Sequence, residues 1–346
     1  MDDMMTTTAP SPQTINHAWR TWIAENLALG SAAEPLVGVL VDNGFDPEEA
    51  QHEVAAAGAS PYVDAARHLA QRVAKRDWSL KVQRKTRGLR YTGQGRIDRH
   101  DLLDRATFLR DYYSANRPVV ITGQMAGWRA MNWTFESLSQ RFADREVQVQ
   151  TRRSANPRYE AESRHHHENM HFSDFMRRVL SGKESNDIYM TANNGSANAP
   201  ALRELWDDIV QIPEYLDDRD PGNLGFFWIG PAGTITPTHH DLTNNFMAQI
   251  IGRKRVHIVD GLEIPHMYNL LHVYSEVDLE NVDYARFPLM RDVDILTYDL
   301  QPGELLFLPV GWWHQVRSLD VSITVTFTNF AFDNDFHSMY STFHDV

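Results

Sequence analysis

The run Thr236-Pro237-Thr238-His239-His240-Asp241 holds the residues best spaced for chemistry in this chain. Successive side chains of an extended strand alternate faces, so His239 and Asp241 point one way and His240 the other. Two imidazoles and one carboxylate on one side of a metal form the facial arrangement of non-haem iron(II), which leaves positions open for a cosubstrate and dioxygen. A second, distant histidine must complete it. Among 16 histidines the best placed is His314, after the apolar stretch Leu305 to Leu308 and a turn carrying Pro309 and Gly311. Beside it, Trp312 and Trp313 read as core and pocket wall, able to keep bulk water from a reactive centre. The chain has no cysteine. Thiolate metal sites, disulfides and cysteine nucleophiles are excluded together, and a bound metal must use imidazole and carboxylate donors.

Something has to hold these residues in place. From about Asp101 onward a short helical stretch leads into Arg117-Pro118-Val119-Val120-Ile121-Thr122-Gly123, a β-branched run bounded by proline and glycine. Strand-like segments recur near 146–151, 187–192, 224–229, 233–238, 244–251, 255–259, 295–299, 304–309 and 322–330, with helical patterns mainly at 134–142, 173–181 and 200–217. Many short strands with few helices between them predict an antiparallel barrel or sandwich. Upstream the pattern is helical. Ile15, Trp19, Trp22, Ile23 and Leu27 recur at helical spacing, and Asp46-Pro47-Glu48-Glu49 and Ser60-Pro61 read as helix caps followed by a proline at the first helical position. The expected division is a flexible N-terminus over 1–14, a helical region with a basic linker over 15–98, and a catalytic domain over 99–346 whose metal-binding core is at about 224–332. The basic stretch carries Lys75, Arg76, Lys81, Arg84, Lys85, Arg87 and Arg90 and reads as a solvated helix and linker.

Three separated motifs, TPTHHD, the following NNFMAQIIGRKRVHIVD and PGELLFLPVGWWHQVRS, resemble the Jumonji-C, cupin-like hydroxylases. They look closest to the branch containing the asparaginyl hydroxylase of hypoxia-inducible factor. The likeness covers roughly residues 101–335 by motif order and leaves the N-terminal helices outside it. It implies a mainly β fold with flanking helices, a double-stranded β-helix (jelly roll) preceded by the helical region. It further implies iron(II) held by His239, Asp241 and His314, with 2-oxoglutarate and O2 as cosubstrates. The implied reaction is hydroxylation of an amino-acid side chain in a protein or peptide, with a small amino acid or secondary metabolite as the alternative substrate. The same resemblance gives Lys254 an ion pair with the far carboxylate of 2-oxoglutarate, Thr236 a hydrogen bond to it, Tyr189 a contact with it, and Asn245 a place beside the metal. Thr326 stands where several relatives carry an asparagine. The residues themselves agree about Lys254, because it shares strand parity with Val256 and Ile258 and so faces inward while Arg255 and His257 face out. A buried lysine requires an anion.

A reading of another class is a metal-binding cupin without oxygen chemistry, acting as a scaffold. A zinc hydrolase would use the same ligands, but it gives no reason for a lysine inside the barrel. The cluster His165-His166-His167, with Glu168 and His171, reads as a solvated loop, since consecutive residues do not readily converge on one ion and the flanks Arg158, Glu160, Glu162 and Arg164 are polar. The net charge of -13 speaks against a general nucleic-acid partner and suits basic peptides. No 18 apolar residues run together, and MDDMMTTTAPSPQT lacks the basic start and apolar core of a signal peptide, so a cytoplasmic protein without membrane contact is expected. A homodimer is left open.

Overall fold

The computed structural model describes residues 14–90, 96–217, 219 and 224–342. Apart from Thr14, the flexible N-terminus expected over 1–14 lies outside them. The chain divides into two compact units, Met1–Thr86 and Arg87–Val346.

The first unit is helical: α1 (His17–Ala28), α2 (Ala33–Asp42), α3 (Pro47–Gly58) and most of α4 (Pro61–Arg90), whose last four residues fall in the second unit. Local chemistry sets their starts. Asn16 accepts from the Trp19 backbone N–H, and Asp46 accepts from both Glu48 and Glu49 with Pro47 at the first helical position. Ile23, Leu27, Leu36, Leu40, Phe45, Val54 and Val63 form a small buried core, with Trp19 edge-on to Phe45. Where a linker was expected, α4 continues for 30 residues. No glycine or proline interrupts it between Tyr62 and Arg87, and straight-chain Arg, Lys and Gln are good helix formers.

The second unit contains β1 (Asp98–Asp101), α5 (Arg105–Phe108), β2 (Val119–Thr122), α6 (Phe135–Arg141), β3 (Glu146–Thr151), β4 (His167–His171), α7 (Phe172–Val179), β5 (Ile188–Tyr189) and α8 (Gly195–Leu202). There follow β6 (Phe226–Gly230), β7 (Ile235–His240), β8 (Asn245–Ile251), β9 (Lys254–Val259), β10 (Asn269–Leu271), β11 (Tyr274–Ser275), β12 (Leu296–Leu300), β13 (Leu305–Leu308), β14 (Trp313–Ser318) and β15 (Ser322–Phe327). Two six-stranded sheets, ordered β1-β2-β13-β8-β15-β6 and β10-β11-β7-β14-β9-β12, make the jelly roll, and β4-β3-β5 form a third, small sheet.

Strict alternation sorts the side chains into layers. On the first sheet Val120, Met247, Leu306 and Leu308 turn toward Val256, Ile258, Leu300 and Val316 of the second, forming the core between the sheets. Their neighbours Val119, Ile121, Phe246, Leu305 and Phe307 turn the other way, into a larger core shared with Phe108, Trp128, Leu138, Phe172 and Phe175 from the helical side. Behind the second sheet, Val259 and Trp313 pack with Met267, Val277, Phe287 and Met290 from the segment before β12.

Two expectations need correction. The helix expected at 200–217 occupies Gly195–Leu202 and ends in a 3-10 turn at Arg203–Asp208. His314 follows the turn at Pro309 to Gly311 as the second residue of β14. The cluster at 165–167 is not a solvated loop, because His166 is buried, its Nδ1 donating to the Thr151 carbonyl at 3.0 Å, and His167 opens β4.

Candidate active site

The chain crosses between the two sheets at corners, and the reactive residues stand at those corners. β7 of the second sheet delivers His239 and, just past its end, Asp241; β8 of the first sheet begins at Asn245. β14 lies antiparallel to β7 with His314 opposite His239. The two imidazole rings are 4.2 Å apart between centroids, and His239 Nε2 and His314 Nε2 each lie 3.8 Å from an Asp241 oxygen. One ligand atom from each residue lies within 4.8 Å of the others, so this trio could hold a metal ion.

Hydrogen bonds fix which nitrogens face inward. His239 Nδ1 donates to the Pro237 carbonyl at 2.8 Å and His314 Nδ1 to the Trp312 carbonyl at 3.0 Å. A carbonyl only accepts, so each Nδ1 carries the proton and each Nε2 presents a lone pair, the tautomer a metal ligand needs. Burial and the neighbouring His239 push the His314 imidazole down to about 4, which keeps it neutral. For Asp241, burial pulls the carboxyl upward, but His314, His239 and the Asn245 amide outweigh it and hold it below the usual carboxylate range. Asn245 Nδ2 donates to Asp241 Oδ2 at 3.2 Å. Neutral imidazoles, an ionised carboxylate and an oriented second layer form the donor set that suits a divalent first-row ion.

A cavity of about 240 Å³ runs inward from this trio. All eight residues singled out in the sequence line it: Tyr189, Thr236, His239, Asp241, Asn245, Lys254, His314 and Thr326. Lys254 follows the corner at Gly252, whose φ of +69° and 2.2 Å gap from a would-be Cβ to the Val321 carbonyl oxygen exclude a side chain. Lys254 is 1% exposed. Its ammonium donates to the Tyr189 hydroxyl at 2.9 Å and lies 5.5 and 5.9 Å from the ring centres of Tyr189 and Trp228. Burial lowers it to about 7, and the described residues give it no carboxylate partner.

Thr236 reaches the cavity through an irregularity that parity alone would miss. It stands three positions before His239, so a regular strand would turn the two to opposite faces. A bulge shifts the β7–β14 register between the pairs His314↔His239 and Val316↔Thr236, and both then face inward.

Other lining residues went unrecognised in the sequence. Trp228 donates its indole N–H to the Thr326 hydroxyl at 3.0 Å, and its parity with Phe226 on β6 was a usable signal. Glu160, Asn193 and Val273 line the cavity from outside the strands and Tyr274 from the two-residue strand β11, and no periodicity announced them. Glu160 is buried between the fully buried Arg153 (3.0 Å) and the Asn193 amide (2.7 Å). Trp312 and Trp313 are core residues, as expected, but neither lines the cavity, since Trp312 packs between the sheets and Trp313 behind the second.

The cupin-like domain profile matches residues 105–337, two thirds of the chain. The chain belongs to the cupin-like, Jumonji-C family. It is 34% identical over 242 residues to Lysine-specific demethylase JMJ30 of Arabidopsis thaliana, covering 67% of this chain and 54% of that protein. It is 32% identical over 227 residues to Lysine-specific demethylase 8 of Xenopus tropicalis, covering 63% and 49%. A third relative, tRNA wybutosine-synthesizing protein 5 of Gallus gallus, is 30% identical over 240 residues, covering 65% and 74%. The chain thus spans about half the length of the first two. Jumonji-C members of this family are oxygenases that use iron(II), 2-oxoglutarate and O2, and the cavity of this chain has the donor set and the buried cation that such a cofactor and cosubstrate require. Among the described residues, no helix is long and apolar enough to cross a membrane.

Proposed function

We propose that this protein hydroxylates an amino-acid side chain of a protein or peptide, with His239, Asp241 and His314 holding iron(II). Lys254 carries the reading. A lysine buried to 1% and pushed down to about 7 has lost most of its solvation, and an anionic ligand beside it would return what burial removed. In this proposal its ammonium and the hydroxyls of Thr236 and Tyr189 take the far carboxylate of 2-oxoglutarate, with Trp228 and Thr326 closing that end. Lys254 lies opposite Ser318, four residues along β14 from His314, or about 13 Å of strand. A five-carbon dicarboxylate could bridge that interval with one end at each site. Asn245 keeps Asp241 oriented, and the apolar walls keep water from the reacting atoms.

Iron(II), 2-oxoglutarate and O2 together supply the oxidising power: one oxygen atom enters a C–H bond of the substrate, and the other leaves in succinate as CO2 is released. The protein contributes binding, orientation and exclusion of water. Cavity size favours a side chain over a whole small molecule as substrate. About 240 Å³ is below the ~300–1,000 Å³ usual for small-molecule sites, before the cosubstrate has taken its share. A side chain entering from outside would need only the mouth. Beside that mouth a groove of about 430 Å³ shares Glu160 and Tyr274 with the cavity and offers room for flanking residues.

Under anaerobic conditions, protein with iron(II) and 2-oxoglutarate should develop a weak visible charge-transfer band, and admitting O2 should release succinate. Absence of both, with and without a peptide library, would refute the proposal. Succinate release stimulated by free amino acids but by no peptide would move the substrate to the small-molecule alternative.

A further inference from the structure

The turn Pro309-Val310-Gly311-Trp312, between β13 and β14, touches both ligand-bearing segments of the metal trio, and it is held from outside. It closes with its own bond, the Trp312 N–H donating to the Pro309 carbonyl at 3.2 Å, and Gly311 at φ +78° makes it a type II turn. Such a turn leaves the groups of its central peptide, the Val310 carbonyl and the Gly311 N–H, without partners inside the turn. Glycine accepts either sign of φ, so nothing within the turn prevents that peptide from flipping to the type I arrangement. Bonds from other segments prevent it. Gly311 N–H donates to the Asp241 carbonyl at 3.1 Å, and the Asn116 amide donates to the Val310 carbonyl at 2.9 Å. Val310 N–H donates to Asn244 Oδ1 at 2.8 Å.

Both asparagines are themselves fixed. Asn244 stands three positions past Asp241, is 1% exposed, and donates its backbone N–H and its amide to Asn334 Oδ1 at 2.8 and 3.0 Å, while Asn334 Nδ2 returns to the Asn244 carbonyl at 3.2 Å. Asn116 has a φ of +49°, a left-handed conformation in which asparagine is enriched, and its Oδ1 accepts the Trp312 indole N–H at 2.9 Å. The Trp312 carbonyl is the group that orients His314. The turn therefore holds Asp241 by its main chain and His314 through Trp312, and its conformation sets the 3.8 Å between His314 Nε2 and Asp241 Oδ2. Neither Asn116 nor Asn244 lines the cavity, so neither is placed to be a ligand or to touch the cosubstrate.

We propose that Asn116 and Asn244 are positioning residues of the metal site, a clamp that holds this turn in the one arrangement that presents His314 to Asp241. The inference rests on His239, Asp241 and His314 being the metal site. When only a fraction of molecules has the competent arrangement, affinity falls by that fraction. Calorimetric titration with manganese(II) should therefore show Asn244→Ala binding about tenfold more weakly than wild type, the low end for an outer-layer partner. Asn116→Gly keeps the left-handed backbone and deletes only the amide, and it should bind at least about threefold more weakly, the equivalent of one hydrogen bond. Val120→Ala supplies the comparison for stability alone. Val120 is buried in the core between the sheets and makes none of these bonds, so its truncation should lower the thermal midpoint of the metal-free protein and leave manganese(II) affinity within about twofold of wild type. Saturating cobalt(II) should give wild-type visible bands in both asparagine variants, because the ligand set is intact once the metal has selected the competent turn. Wild-type manganese(II) affinity in both asparagine variants overturns the proposal, as does an equal loss in Val120→Ala, which would assign the effect to stability. Altered cobalt(II) bands at saturation also overturn it, since the ligands themselves would then have changed. A wild-type protein that takes up no manganese(II) overturns the metal reading, and this inference with it.

Discussion

The inner end of the cavity and its mouth are made from different kinds of structure. Inside, Lys254, Thr236, Tyr189, Trp228 and Thr326 all stand on strands, where pairing fixes each Cα and alternation fixes each direction. At the mouth, Glu160, Ala192, Asn193, Thr243 and Val273 come from loops and short turns. Strands that support a shared cosubstrate cannot change length without losing register, whereas loops can. In the proposed function, the inner end sets the chemistry and the mouth selects the molecule that undergoes it. The chain and its relatives, two named as lysine demethylases and one for tRNA wybutosine synthesis, share a domain while their names point to different substrates. That is the outcome such a division of labour produces.

The sharpest way to break this comparison is to remove a ligand. Asp241→Ala should lower manganese(II) or iron(II) affinity by more than about 100-fold, the upper range for losing even an outer-layer partner, and succinate release should vanish with it. Calorimetric titration with manganese(II) checks the first and mass spectrometry the second. Retention of metal within a few-fold would remove Asp241 from the site.

Next in size is Lys254→Ala, which should weaken 2-oxoglutarate binding by about 10–100-fold, the ~1.5–3 kcal/mol of a charged hydrogen bond, while metal affinity stays unchanged. The wild type adds a pH signature. Lys254 is at about 7 without an anion, below its ordinary 10.5. The folded protein therefore binds fewer protons than the unfolded chain between those values, and its stability rises with pH across that window. Bound dicarboxylate needs the ammonium form, so its Kd should rise about tenfold per pH unit above 7. A pH-independent Kd from 6.5 to 8.5 would show that no anion meets Lys254.

How much of this could be read from the residues follows the same divide. Parity placed Lys254 beside Val256 and Ile258, and all three are buried. It also placed His239 and Asp241 together, because a period of two needs no knowledge of the partner strand. Parity could not deliver Thr236, whose inward turn depends on the bulge opposite His314 and Val316. Glu160 was hidden for a different reason. Its polar neighbours describe an exposed loop, yet Arg153 closes that loop onto the Ile235 carbonyl at 2.8 Å, a long-range contact with no local signal. The same limit explains His166, buried by its bond to Thr151. The helical unit was readable in its caps, and the charged stretch read as a helix and linker is helical through Arg90.

A smaller effect tests the layer just outside the metal. Asn245→Ala removes the amide that holds Asp241 Oδ2 at 3.2 Å, and metal affinity should fall about tenfold with 2-oxoglutarate affinity following it. A loss as large as that of Asp241→Ala would make Asn245 a ligand rather than a positioning residue.

The smallest expected effect lies at the mouth and bears most directly on the comparison. Asn193 is an exposed residue of the cavity lining, and its amide donates to Glu160 at 2.7 Å. In Asn193→Ala, Glu160 keeps Arg153 as a partner, so the fold loses one hydrogen bond, about 1 kcal/mol, and remains intact. Metal and 2-oxoglutarate affinities should stay within about twofold of wild type, the ~0.5 kcal/mol spread of substitutions away from a structural feature. Succinate release without substrate should stay equally close, because none of the inner strands has moved. Substrate-stimulated turnover is then the quantity free to change. If cosubstrate affinity shifts tenfold instead, the mouth and inner end are coupled, and the division between chemistry held on strands and selection held on loops fails for this protein.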